Sequence, residues 1–263
     1  MRVVTLASSS KGNCSLIYTA NTKILIDMGI KLDECEMKLQ ALGIDPKDID
    51  AILNTHAHGD HTKGMGAFAR KYGTKLYVHV DGRDSLIAKI GKTSTKYVNT
   101  FTELPFNVGE FIVTAFKLPH DVPCCVGYSV VCGDNKVSYA TDLGHVTTDI
   151  VDNLMGSKLV ILESNHDEKM LIANPNYPFI LKNRILSNNG HLCNEVSAKV
   201  VLQLALTGTK QVVLAHLSEE NNTPNIAYNC VAKHLEKHGL IEGTHIRVDV
   251  APASKIGTLF HLK

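Results

Sequence analysis

The sequence predicts an α/β protein built as a four-layered αββα sandwich, and three observations carry that prediction. Runs rich in β-branched and aliphatic residues fall in two blocks, each followed by helical patterning, as expected of two β-halves with helices outside. Turn signals at 19–22 and 133–135 separate adjacent strand runs and require antiparallel pairing, so a doubly wound parallel sheet fits less well. The 263 residues contain no low-complexity segment and no linker rich in Pro, Gly or Ser. They are read as one domain, 1–263, able to remove roughly three quarters of the unfolded surface from water.

The elements follow in order. Val3–Leu6, Ser15–Tyr18 and Lys23–Ile26 read as strands. The polar run Ser8-Ser9-Ser10-Lys11-Gly12-Asn13 is the turn between the first two, and Asn21-Thr22 the turn before the third. Leu32, Cys35, Leu39 and Leu42 recur at helical spacing over Lys31–Leu42, and Gly43 ends that helix. Ala51–Asn54 is a short buried strand, Lys63–Lys71 a helix, Lys75–His79 a strand and Asp81–Ile90 a helix. The second block has strands Phe111–Lys117, Val126–Cys132 and Lys136–Ala140, with Gly133-Asp134-Asn135 as a hairpin turn. Helix Val146–Met155 and strand Leu159–Glu163 follow, then helices Tyr177–Leu186 and Asn194–Leu206 about a glycine-containing loop. Strand Gln211–Ala215, helix Thr223–His238 and strands His245–Val250 and Gly257–His261 close the chain.

Lys plus Arg is 27 and Asp plus Glu is 26, a net charge of +1 without the basic excess usual in a nucleic-acid binder. Local patches still matter more than the sum. The seven cysteines, at 14, 35, 124, 125, 132, 193 and 230, lack CxxC spacing and predict free thiols in a reducing cytoplasm. Cys124-Cys125 stands out, because Cys124 follows Pro123 close to His120. No apolar run approaches the roughly 20 residues that cross a bilayer. The opening run reaches Ser8 too soon for a secretion signal, so a cytoplasmic protein without membrane contact is expected. The 13 histidines are the anomaly. His234 and His238 read as surface residues of a helix, whereas clustered histidines need another explanation.

The cluster is His56-Ala57-His58-Gly59-Asp60-His61, directly after a strand. Four ligand-capable side chains in six residues cannot pack into a core without partners. Imidazoles and a carboxylate without thiolate suit catalytic zinc, manganese or iron more than structural zinc. One loop cannot easily aim all four at one ion, so His56 with His58 and Asp60 with His61 are assigned to separate ions. Two ions a few ångströms apart can polarise an ester and share a bridging hydroxide.

This run matches the HxHxDH signature, and the chain resembles the metallo-β-lactamase superfamily. Further landmarks of that family stand in order after strands: Asp27, His120 in Leu118-Pro119-His120-Asp121, Asp142 in Ala140-Thr141-Asp142-Leu143-Gly144, and His216 in Ala215-His216-Leu217-Ser218. The resemblance implies the αββα fold over residues 3–218 at least. It implies that His56, His58 and His120 hold one metal, that Asp60, His61 and His216 hold another, and that Asp142 bridges them. Asp27 would support the ligand loop without binding metal. His58 stands where flavodiiron proteins carry Glu, and Asp142 where many secreted β-lactamases carry Cys, so neither group is expected.

Other runs are similar to the YycJ (WalJ) type of small bacterial metallo-hydrolase, described as a 5′→3′ exonuclease acting on DNA. They are Leu6-Ala7-Ser8-Ser9-Ser10-Lys11-Gly12-Asn13, Glu163-Ser164-Asn165-His166-Asp167, Asn189-Gly190-His191-Leu192-Cys193-Asn194 and His216-Leu217-Ser218-Glu219-Glu220-Asn221-Asn222. Cys193 departs from the usual Ser of that group. The resemblance implies a DNA phosphodiesterase with Asp60 orienting the nucleophile and His191 protonating the leaving oxygen. Ser10, Asn13, Asn165 and His191 are the expected substrate contacts. A basic path to the metals is sought among Lys11, Lys63, Arg70, Lys71, Lys92, Lys96, Lys182 and Arg184, with Tyr97 or Tyr177 for base stacking. A small-molecule hydrolase, such as a cyclic phosphodiesterase or thioester hydrolase, would share every metal residue. A binding protein with structural metals is the remaining alternative.

Overall fold

Alternation of side chains along each strand decides the layering. In the computed structural model, which describes the backbone of residues 1–263 and all side chains except those of Lys92 and Thr93, every central strand is covered on both faces. The strands β1 (Arg2–Ser9), β2 (Gly12–Tyr18) and β3 (Lys23–Ile26) pair antiparallel. Helix α1 (Leu32–Ala41) leads to β4 (Ala51–Leu53), and α2 (Gly59–Thr62) with α3 (Met65–Tyr72) to β5 (Lys75–His79). Helix α4 (Arg83–Ile90) then leads to β6 (Val98–Phe101), and β3 to β6 run parallel.

The second sheet repeats this plan. After β7 (Phe106–Val108), the strands β8 (Phe111–Lys117), β9 (Val126–Cys132) and β10 (Asn135–Ala140) pair antiparallel. Helix α5 (Thr148–Leu154) precedes β11 (Leu159–Glu163), and α6 (Glu168–Ala173), α7 (Phe179–Leu186) and α8 (Asn194–Leu206) precede β12 (Gln211–Ala215). Helix α9 (Pro224–Lys237) leads to β13 (Arg247–Val250), and β10 to β13 run parallel. The last strand, β14 (Phe260–His261), returns to the first sheet and pairs antiparallel with β1.

Ile24, Ile26, Ala51, Leu53, Leu159, Ile161 and Val213 fill the space between the sheets. Their neighbours alternate outwards: Leu25 and Ile52 meet Leu39 and Phe68, while Val160, Leu162 and Leu214 meet Ala198, Val201 and Val231. Strands buried on both faces read as near-continuous apolar runs, which is how these stretches appear in the sequence.

The strand expectations hold closely in the centre of each sheet. The run from Ser8 to Asn13 is corrected: β1 extends to Ser9 and β2 begins at Gly12, so only Ser10 and Lys11 form the turn. Ser8 and Ser9 are buried despite their hydroxyls. β6, β7 and α6 were not expected, being three- to six-residue segments too short to display a period.

Candidate metal centre

The functional side chains gather at one end of the sandwich, where strands of both sheets finish. Asp27 follows β3, the His56–His61 run follows β4, Asp142 follows β10, Glu163 ends β11 and His216 follows β12. Asp27, Asp142 and His216 have φ of 57°, 63° and 56°, the left-handed region where Asp, Asn and His are enriched among non-glycine residues. Such a conformation costs about 1–3 kcal/mol and persists where surrounding contacts fix it. Those contacts are the cluster itself.

Two sets of donors result. His56, His58 and His120 each offer a ring nitrogen within 4.8 Å of the others, and Asp60, His61 and His216 form a second set on the same criterion. Asp142 lies between them, with Oδ2 3.2 Å from His61 Nε2 and Oδ1 3.6 Å from His216 Nε2 and 3.8 Å from His120 Nε2. Asp60 Oδ2 is 3.3 Å from His61 Nε2 and 3.4 Å from His216 Nε2. All seven residues expected to bind metal therefore converge.

The fit to a cation can be tested on the atoms. His56 Nε2, His120 Nε2 and Asp142 Oδ2 are buried and lack a hydrogen-bond partner among the described residues. A buried polar atom left unpaired is costly. A divalent ion would satisfy all three, and the nitrogen and oxygen donor set suits zinc, manganese or iron. The far ring nitrogens are held as metal-binding imidazoles are held elsewhere. His61 Nδ1 donates to Asp27 Oδ2 at 2.7 Å, and Asp27 accepts from the Thr55 amide at 2.9 Å and the Thr55 hydroxyl at 2.7 Å. His216 Nδ1 and His191 Nδ1 both donate to Glu163 Oε1, at 2.9 and 2.8 Å. Glu163 Oε2 accepts the Leu143 and Leu192 amides, each at 3.1 Å.

Burial pushes His56 well below the usual imidazole range, which keeps it neutral. Burial would also lower His61 and His216, but carboxylates outweigh it. Asp142, Asp27 and Asp60 raise His61 well above its ordinary value, and Asp142, Asp60 and Glu163 raise His216 to about 10. Burial opposes ionisation of Asp60 and Asp142, yet the neighbouring imidazoles hold both below the usual carboxylate range. Burial likewise opposes Glu163, and His191 with His216 holds it at about 2. His191 is raised, because Glu163 and Asp142 outweigh its burial.

Ser10, Asn165 and His191 line one polar pocket of about 160 Å³ together with Tyr177 and Arg184. Asn13 does not join them. It is fully buried, and its amide donates to Ser9 O at 2.9 Å and lies 3.3 Å from Asp60 Oδ2 and 3.1 Å from His61 Nε2. Asn13 thus braces the ligand turn, a correction to its expected substrate contact. The basic path is also shorter than expected. Arg70 is spent on Ile90 O and Ser94 Oγ, Lys71 on Glu36, and Lys96 stands over the Tyr97 ring. The side chain of Lys92 lies outside the described residues. Lys182 donates to Ile172 O, and Arg184 pairs with Asp121 at the polar pocket. Lys11 and Lys63 line an open basin of about 670 Å³ beside Asp60, joined by Lys89, which sequence reasoning missed. Glu163 was noticed only as part of a run. Its signal was a carboxylate ending the otherwise apolar strand Leu159–Leu162, where a charge needs buried partners.

Fold and site together define a class: the chain belongs to the metallo-beta-lactamase superfamily, whose family model matches residues 10–182. Within that class it is similar to proteins named Exodeoxyribonuclease. It is 33% identical to Exodeoxyribonuclease YycJ of Bacillus anthracis over 89% of each chain. It is also 33% identical to Exodeoxyribonuclease WalJ of Streptococcus pneumoniae, over 94% of this chain and 93% of that one. Among solved structures, the metallo-beta-lactamase fold protein YhfI from Bacillus subtilis superposes with a TM-score of 0.74 over 99% of both chains at 16% identity, a likeness of fold. The chain is accordingly a hydrolase of this superfamily, with His and Asp clusters able to hold metal.

Proposed function

We propose that this protein is a two-metal phosphodiesterase that degrades DNA as a 5′→3′ exonuclease in the cytoplasm. The observation that carries the reading is the convergence of seven ligand residues from both halves at one strand-end cluster. Similarity over about nine tenths of the chain to proteins named Exodeoxyribonuclease supports DNA as the substrate. Seven free cysteines support a reducing compartment. No helix among the described residues is long and apolar enough to cross a membrane.

His56, His58 and His120 would hold one ion, Asp60, His61 and His216 the other, and Asp142 both. Two divalent cations, when bound, polarise the phosphoryl group and lower the pKa of an attacking water. Asp60, beside the open basin, would orient the nucleophile while binding metal. His191 is pinned through Nδ1 to Glu163, which with Asp142 raises its pKa, and its second nitrogen would protonate the departing oxygen. Arg184 and Lys89 attract the anionic backbone.

The test is incubation of the metal-loaded protein with end-labelled single- and double-stranded DNA beside bis(p-nitrophenyl) phosphate. The expected result is stepwise shortening from the 5′ end, abolished in Asp60→Ala with the fold retained by circular dichroism. Near-wild-type turnover by Asp60→Ala would sink the scheme. Fast cleavage of the small ester with intact DNA would move the protein to the small-molecule hydrolases, a reading that its net charge of +1 favours.

A further inference from the structure

A second cavity opens beside His58, and it shares no lining residue with the polar pocket of His191. Its volume is about 310 Å³. Ala57, Ala88, Val122, Pro123 and Cys124 form its walls. Burial pushes the Cys124 thiol up to about 11, so this wall is uncharged and unreactive at neutral pH. No carboxylate lines the cavity, so it offers nothing to a cation. Its polar groups are at Ser85, Lys89 and the metal-ligand candidate His58.

Lys89 also lines the basin that holds Asp60, Lys11 and Lys63, and Ser10 joins that basin to the His191 pocket. Three depressions therefore lie side by side around the ligand cluster, the basin sharing one lining residue with each of the other two. One is apolar, one carries Lys63 and Lys89 with Asp60 and the Glu219-paired Lys11 at its edge, and one is polar. The occupant that fits the first is an uncharged, largely apolar group covalently joined to an anion that fits the second. Within the nuclease reading, that description is a nucleobase with its phosphate. The cavity is at the small end of ligand-binding sites, which run from about 300 to 1,000 Å³. It has room for one base.

We propose that this cavity is a nucleobase subsite, which takes one unpaired base flanking the scissile phosphodiester. The inference rests on the nuclease reading and deepens it. A base held there must leave its partner strand, as bases do when enzymes draw them out of a duplex. The walls are apolar, and the edge of a base would meet Ser85, Lys89 and His58 with no side-chain amide or carboxylate.

The experiment uses the full-length metal-loaded protein and DNA carrying a tetrahydrofuran abasic residue at the terminal or, separately, the penultimate position. These two positions flank the first bond cut. In wild type, one of the two placements should lower kcat/KM by about tenfold, as expected when the apolar surface of one base is no longer buried. Ser85→Trp, which fills the cavity from α4, should lower kcat/KM on intact DNA by a similar factor and leave turnover of that abasic substrate unchanged. Ala88→Trp, on the exposed face of the same helix, is read in the same way should Ser85→Trp not fold. Cleavage of DNA that ignores both abasic placements, or a folded variant that cuts intact DNA at the wild-type rate, would overturn the subsite alone. Wild type that turns over bis(p-nitrophenyl) phosphate but cuts no DNA would overturn the nuclease reading and the subsite with it.

Discussion

His191 sits between His120 and His216, with ring centroids 5.2 and 5.3 Å away, and its Nδ1–H is committed to Glu163. An acid acting on the leaving oxygen matters most where that oxygen is a poor leaving group. His191→Gln is expected to slow DNA hydrolysis by about 10²–10⁴-fold. It should slow a p-nitrophenyl ester far less, because the phenolate departs without a proton. Equal losses on both substrates, measured as kcat, would remove the acid role. His61 and His216 lead to a second expectation. Their folded pKa values lie above the ordinary imidazole value, at about 10 for His216. In the metal-free protein both carry protons at pH 7, and the stability they contribute is fully present below about pH 6.5. It is lost as pH rises through about 10. Metal needs both rings neutral, so loading at pH 7 should release protons and weaken as pH falls. Calorimetry in buffers of different ionisation enthalpy measures the count, and zero release would refute the assignment. The seven ligand candidates were legible as residue types at strand ends. Asn13 and Glu163 were misread or missed, because their roles depend on which way a buried amide or carboxylate turns.

Helix α2 is only four residues long, and it carries Asp60 and His61. Met28 N fixes it from outside by donating to His61 O at 2.9 Å, and Thr62 Oγ1 ties it to its own N-cap by donating to His58 O at 2.9 Å. Gly29 makes the approach possible, since a Cβ there would stand 1.5 Å from Asp60 O and 2.8 Å from Asn13 N. Both contacts are backbone, so the ligand turn would have to move. Gly29→Ala is expected to cost at least about 1–3 kcal/mol of stability, as overpacking does, and to weaken metal binding by tenfold or more. Thermal melts and metal titration check this, and wild-type metal affinity would contradict it. The same element scale shows why the Ser8–Asn13 run was misread. Hydroxyls signal a turn in isolation, but Ser8 Oγ accepts the His216 amide at 2.8 Å, which makes it a strand residue bridging the halves. Long central strands such as β8, β9 and β12 announce themselves by apolar runs. β6 and β7 are too short and too polar to do so.

The molecule as a whole is two similar halves. β1 to β6 and β8 to β13 share one sequence of pairings: two antiparallel steps, then three parallel ones. Asp27 and Asp142 occupy equivalent places, each after the third strand of its half and each with positive φ. One carboxylate steadies a candidate ligand and the other lies among the candidate ligands. Candidate ligand residues come from both halves, so bound metal would cross-link them. The two-layered strand arrangement was legible from blocks of strands and from hairpin signals. The likeness of the halves was not, because it lies in pairing directions and not in repeated residues.

The return of β14 to β1 has a consequence for the chain as an assembly of pieces. A break in the exposed segment at Leu104, between β6 and β7, would leave an amino-terminal fragment whose first strand lacks its outer neighbour. The carboxy-terminal fragment carries that neighbour, with Arg2 opposite His261 and Val3 opposite Phe260. Each fragment also exposes one side of the inter-sheet core and an incomplete set of metal ligands. The two pieces should therefore find each other through a strand edge, an apolar face and a shared ion, and reconstitute activity on co-expression. Fragments ending at Val250, without β14, should complement less well. Equal recovery by both versions, scored by phosphodiesterase turnover of the purified pair, would show that the last strand plays no part in the recognition.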